Sequence, residues 1–148
     1  MRRISHGLRP RELDDLGLAA ALRMLVEDFQ LRTGLAVTLR AGQLEPRLSP
    51  DREEICYRIV QEALTNIERH ARARHVVLRL TRSRHAVRLV IRDDGRGFGA
   101  EGRSAGLGLV HMRERAEQVG GTCLIGPARG RGTEIVARLP LPPEPVQS

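Results

Sequence analysis

Apolar positions recur along this chain at two periods. From Arg11 to about Arg32, Leu13, Leu16, Ala20, Leu22, Leu25 and Phe29 return near helical spacing, and Gly34 follows as a stop signal. A second helix is predicted from Ser49, which reads as an N-cap, with Pro50 in the first helical position. Asp51, Glu53 and Glu54 then place acidic groups against the positive end of the helix. Its broad apolar face runs through Ile55, Ile59, Val60, Ala63, Leu64, Ile67 and Ala71. The period shortens to two at Val76, Leu78 and Leu80 and again at Val87, Leu89 and Ile91, which predicts an antiparallel hairpin of strands Val76–Thr81 and Val87–Asp93. Ala36–Arg40 is a further short strand. A glycine-rich loop from Gly95 to Gly108 leads into a third helix, Leu109 to about Val119, stopped by Gly120 and Gly121. Strands Thr122–Ile125 and Thr133–Leu139 complete the pattern. Strands punctuated by helices without regular alternation predict an α+β, two-layer sandwich with helices on one sheet face.

Composition narrows the class. A chain of 148 residues suits one domain with one core, and 41% hydrophobic with 29% charged residues is a globular balance. No stretch approaches the roughly 18 apolar residues of a spanning helix, and MRRISHGLRP lacks a signal peptide's apolar run, so a cytoplasmic chain without membrane contact is expected. Cys56 and Cys123 have no ligand spacing around them and read as reduced core thiols. All 25 basic residues are arginine, which excludes a lysine-bearing phosphate loop. The net charge of +7 raises the question of nucleic acid. The arginines are spread through the sequence, however, and only three aromatics are available to stack on bases, so no direct nucleic-acid contact is expected.

Four groups of residues carry candidate chemistry. Glu62, Asn66 and His70, spaced four apart on one helix with Arg69 alongside, offer oxygen ligands for magnesium and cations for phosphate oxygens. The plainer reading is a solvated helix face. Asp93-Asp94-Gly95-Arg96-Gly97-Phe98 follows a strand, where a carboxylate can accept from an exocyclic amine and glycines let backbone approach a flat ring. It could equally be an ordinary Asp-Gly turn. Gly106-Leu107-Gly108-Leu109 stands where a helix is predicted to open, so free N–H groups there could receive an anion. Gly130-Arg131-Gly132-Thr133 opens the last strand, as a simple turn or with the Thr133 hydroxyl reaching a ligand.

In this order the four groups resemble the N-box, the two glycine boxes and the terminal Gly-Thr of the Bergerat-type ATPases, the superfamily of gyrase, heat-shock chaperone, histidine kinase and MutL ATPases. IVQEALTNIERHA looks like the N-box of histidine kinases, VIRDDGRGF like the first glycine box and GLGLVHMRERAEQVGG like the second. ISHGLRPRELDDLGLAAAL and HMRERAEQVGG resemble the sensor kinases of nitrate and oxygen sensing, which pair with LuxR-type DNA-binding response regulators. Only eight residues separate Phe98 from Leu107, a short nucleotide lid that suits the same group.

The resemblance implies a mixed, mostly antiparallel sheet and an ATP site that uses Mg2+. Asp93 would accept from the adenine amine with Thr133 in support through water, Gly95 and Gly97 would shape the adenine pocket, and Asn66 would bind magnesium. Arg69, where the family more often has lysine, and His70 would face the phosphates. Gly106, Leu107, Gly108 and Leu109 would hold the lid and phosphates, and Glu62 aligns with the acidic residue that activates water in hydrolytic branches.

The implied activity is a protein histidine kinase, transferring the γ-phosphoryl group of ATP to a histidine on a dimerisation helix and onward to a response regulator. That helix is expected upstream of this chain. Residues 1–10 would be its linker, residues 11–140 the catalytic domain and residues 141–148 a flexible tail. His6 stands beside Gly7 and Pro10, which break a helix, so it is not expected to be the acceptor. His75, His85 and His111 are read as ordinary surface or core residues. The alternative is a stand-alone anti-sigma serine kinase of the same superfamily.

Overall fold

A computed structural model describes residues 10–42, 44–95 and 102–142, with residues 70, 71 and 102–107 described by their backbone only. Residues 1–9 of the expected linker, including His6, residues 96–101 with Gly97, and residues 143–148 of the expected tail lie outside the described residues.

The first predicted helix is two: α1 (Arg11–Leu16) and α2 (Leu18–Thr33), parted at Gly17 with φ of +88°. The apolar pattern continues across the break, so the spacing alone concealed it. Leu13, Leu22 and Phe29 are buried, whereas Leu16 at the break is 60% exposed. Gly34 closes α2 in the left-handed conformation, its N–H bonded to the Gln30 carbonyl.

Strand β1 (Ala36–Ala41) leads to α3 (Pro50–Asn66), whose Ser49 side chain caps the Arg52 N–H at 3.4 Å. Glu53 is more than a first-turn acid. It is 98% buried and held by Arg47 at 2.8 and 3.1 Å, and Arg47 also donates to the Leu13 carbonyl, so one ion pair joins α1 to the start of α3.

A π-turn, Ile67–Ala71, continues α3 and ends at Arg72, which has φ of +52°. Strands β2 (His75–Arg82) and β3 (Ala86–Asp93) form the expected hairpin, followed by α4 (Gly102–Glu117), β4 (Thr122–Pro127) and β5 (Thr133–Pro140). The sheet runs β1-β2-β3-β5-β4, with β1 parallel to β2 and the other pairs antiparallel.

The helices cover one sheet face. Val76, Leu78 and Leu80 of β2, Val87, Leu89 and Ile91 of β3, and Ile135, Ala137 and Leu139 of β5 form a core with Ile59, Val60, Ala63, Met112 and Ala116 of the helices. Arg52 donates to the Pro140 carbonyl at 2.7 Å and ties α3 to the end of β5. Cys56 and Cys123 are free and buried, and burial raises their thiols to about 12 and about 11, which leaves them inert at neutral pH. The α+β sandwich with a mixed, mostly antiparallel sheet is therefore the observed architecture, with four α-helices among the described residues where about three were expected.

Candidate functional site

Asp93 ends β3, where the sheet stops and backbone N–H groups are left over. The β3–β5 pairing runs to Arg92 opposite Glu134, which sets Asp93 beside Thr133. Asp93 is 97% buried, yet its partners are backbone: Gly95 N–H donates to Oδ1 at 2.8 Å and Thr133 N–H donates to the same carboxylate. Burial raises its pKa, and the two N–H donors oppose that rise without cancelling it. Thr133 is equally buried, and its hydroxyl oxygen has no hydrogen-bond partner among the described residues.

Gly132 makes this closeness possible. A Cβ there would lie 1.9 Å from the Asp93 carbonyl oxygen, and its φ of +97° favours glycine as well. Arg131 Nε donates to the Gly95 carbonyl at 3.3 Å, linking the turn before β5 to the loop after β3. The neighbouring Asp94 has a different task. Its Oδ1 accepts from Arg74 N–H at 2.9 Å and His75 N–H at 3.0 Å, and these bonds lower its pKa. The alternation of Val87, Leu89 and Ile91 continues to Asp93 and places it, rather than Asp94, on the buried face.

A second cluster gathers α3 and α4. Glu62 and Asn66 lie one turn apart, and a Cβ at Gly108 would stand 2.9 Å from Glu62 Oε2, 2.9 Å from Asn66 Nδ2 and 3.2 Å from Asn66 Oδ1. The α4 backbone thus passes directly over both polar groups. Asn66 is 95% buried and its Nδ2 has no hydrogen-bond partner among the described residues. An unpaired amide and an unpaired hydroxyl buried in one small domain each carry a desolvation cost, and a bound polar ligand would remove it.

Two expectations need correction. The stripe Glu62–Asn66–His70 was drawn at α-helical spacing, but from Ile67 the backbone is π-type, so the four-residue spacing no longer sets His70 directly above Asn66. The His70 side chain lies outside the described residues; Arg69 is exposed. Nor does α4 open at Gly106–Leu109. It opens at Gly102, which leaves Gly106, Leu107, Gly108 and Leu109 inside the helix, where N–H groups bond within it rather than facing an anion. What Gly108 supplies instead is the missing side chain over Glu62 and Asn66.

Two clefts lie away from these clusters, one lined by Asp51, Glu54, Arg115 and Gln118, the other by Asp15, Leu18, Leu44 and Arg47. Neither gathers a sequence-predicted site residue. Among the described residues no helix is long and apolar enough to cross a membrane, and no group of three His, Cys, Asp or Glu residues is placed to hold a metal.

Comparison with known proteins agrees with this arrangement. The chain is 41% identical to the sensor histidine kinase MctS of Rhizobium johnstonii over 95% of its own length and 31% of that protein's. It spans 28–41% of the length of the curated relatives it matches. Among solved structures, the ATP-binding domain of PrrB from Mycobacterium tuberculosis is similar at TM-score 0.63 and 27% identity, over 83% of this chain and 93% of that one. The histidine kinase domain of the Erythrobacter litoralis EL346 blue-light-activated kinase shares the fold at TM-score 0.70 and 24% identity, over 84% and 61% of the two chains. Residues 51–143 match the family described as histidine kinase-, DNA gyrase B- and HSP90-like ATPases. The chain belongs to that family, and the curated relatives it resembles over 95–97% of its length are named histidine kinases.

Proposed function

We propose that this domain holds ATP with its adenine at Asp93 and its phosphates toward Asn66, and delivers the γ-phosphoryl group to a histidine on a dimerisation helix outside residues 11–140. The observation that carries the reading is the pairing of a buried carboxylate with a buried, unpartnered hydroxyl at one strand end: Asp93 and Thr133. An adenine amine donates to a carboxylate, and a hydroxyl can accept from or donate to the same ring edge directly or through water. Gly95 would leave room for the flat ring beside them, and so would Gly97.

At the other cluster, Asn66 Oδ1 and Glu62 offer hard oxygen ligands one turn apart, a donor set that fits a magnesium ion sharing its ligands with phosphates and water. When bound, that ion neutralises phosphate charge. Asn66 would fix the triphosphate in place, while Arg69 and His70, on the π-turn, would supply positive charge to its oxygens. Residues 102–109 would cover the phosphates, with Leu107 and Leu109 excluding water and Gly106 and Gly108 permitting close approach. Phosphoryl transfer passes through a loose transition state, so positioning and charge neutralisation carry the catalysis, and Glu62 orients the reacting groups. Onward transfer to a response regulator, of the LuxR type suggested by the sequence, completes the relay. Its cytoplasmic location follows from the substrate, ATP.

Mixing the chain with ATP, Mg2+ and a separately produced kinase dimerisation helix bearing its histidine tests the reaction. Acid-labile phosphate is expected on the helix and not on this chain. Label on this chain alone, or on a serine of an added protein substrate, would refute the histidine-kinase reading.

A further inference from the structure

The sheet face turned away from the helices carries a second pattern, independent of the nucleotide site. Strand alternation puts Arg40, Val77, Arg79, Arg88, Val90, Arg92, Glu134, Val136, Arg138 and Leu124 on this face. All five arginines are exposed, and Leu124 is 65% exposed. Glu134 pairs with Arg92 at 2.6 Å. For Arg40, Arg79, Arg88 and Arg138 no ion pair exists among the described residues.

Their register is the telling feature. Arg40 stands directly beside Arg79 across β1 and β2, and Arg88 stands directly opposite Arg138 across β3 and β5. Like charges at facing positions work against the sheet that brings them together. Arginines that are scattered in sequence are thus gathered by pairing onto one surface. Val90, Val136 and Leu124 continue the Arg40–Arg79 row across the sheet, through the registers Arg79↔Val90, Val90↔Val136 and Leu124↔Val136, and Arg88 and Arg138 stand in the adjacent row.

We infer that this open sheet face is a docking surface for an acidic protein partner that places carboxylates against the four arginines and aliphatic side chains on the Val90–Val136–Leu124 strip. An apolar centre rimmed by arginine is the composition of protein interfaces. A nucleic acid is the poorer fit, because the face carries no aromatic residue on which bases could stack. A second copy of the chain is poorer still, since face-to-face pairing would set arginines against arginines.

The test is a heteronuclear NMR titration of the 15N-labelled chain with a peptide of roughly twelve residues, alternating glutamate and valine, the length of one or two strands. The parent is compared with the combined Arg40→Ser, Arg79→Ser, Arg88→Ser and Arg138→Ser variant, and with a charge-matched control at Arg11, Arg23, Arg84 and Arg113. Saturable shifts are expected on β2, β3, β4 and β5. They should weaken at least about tenfold in the combined variant and at about 0.5 M salt, with the control unchanged.

The combined variant should bind an ATP analogue as the parent does and melt no lower, because the like-charge pairs are gone. If it fails to fold, the Arg88→Ser, Arg138→Ser pair provides the same reading. Shifts that persist in the variant, appear equally weakened in the control, or map elsewhere overturn the proposal. So do absence of saturable binding, tighter binding of a short DNA duplex to the same face, or self-association through it.

Discussion

Asp93 and Thr133 state the conflict of this domain at the scale of single residues: both are buried, and neither is settled by its protein neighbours. The Asp93 pKa is raised in the folded chain, so folding favours its protonated form. Its contribution to stability is therefore greatest below the unfolded pKa and is lost as pH rises through the folded value. Asp93→Asn removes that charge. Melting curves across pH should show the variant as stable as the parent or more so at neutral pH, with the gap closing toward acid; a variant that melts lower at neutral pH contradicts this. Asp94 has the opposite sign, its pKa lowered by the N–H groups of Arg74 and His75, so what it contributes is lost as pH falls through its folded value. Thr133→Val replaces an unpartnered hydroxyl with a methyl of similar shape. It should leave the melting temperature unchanged or raised while weakening ATP-analogue binding about 3- to 10-fold, the worth of one hydrogen bond. Calorimetric titration checks the affinity, and unchanged binding would remove Thr133 from the site.

At the scale of elements, two glycines govern how closely elements meet, and they predict opposite outcomes. Gly132→Ala would drive a Cβ to 1.9 Å from the rigid Asp93 carbonyl at a φ of +97°, so a stability loss of about 2–4 kcal/mol is expected in denaturant melts. Gly108→Ala meets side-chain ends, Glu62 Oε2 and Asn66 Nδ2, at 2.9 Å. There the gain in helix propensity, about 1 kcal/mol, offsets the crowding, so stability should change by less than about 1 kcal/mol while nucleotide affinity falls. Equal affinity in Gly108→Ala would show that α4 does not shape the site. The sequence foretold the elements better than their junctions. The Ser49 cap, the Gly34 stop and the hairpin alternation were readable because each is a local rule. The break at Gly17 was hidden because the apolar spacing runs through it, and the π-turn at Ile67–Ala71 because it changes backbone register without changing residue type. The start of α4 at Gly102 was hidden because its first turns are glycine-rich and carry no cap signal. The ion pair of Arg47 with Glu53 was also out of reach, since the loop before Ser49 shows no periodicity to place Arg47 beside the helix.

At the scale of the molecule, the sheet divides its duties: one face holds the core, one end of its strands holds Asp93 and Thr133, and the open face collects arginine. The residue order of the candidate site was visible in the sequence through its resemblance, while the reason those residues meet was not. Thr133 reaches Asp93 through antiparallel pairing of β3 with β5, and Asn66 meets Gly108 through packing of α3 on α4, contacts that only the folded chain creates. Together the two clusters would form one nucleotide site. The most direct measurement is titration of the chain with a fluorescent ATP analogue, with and without Mg2+, beside Asp93→Asn and Asn66→Ala. Saturable binding is expected in the parent, with loss of binding in Asp93→Asn with or without the metal and loss of only the Mg2+-dependent part in Asn66→Ala. Binding by Asp93→Asn equal to that of the parent would contradict it.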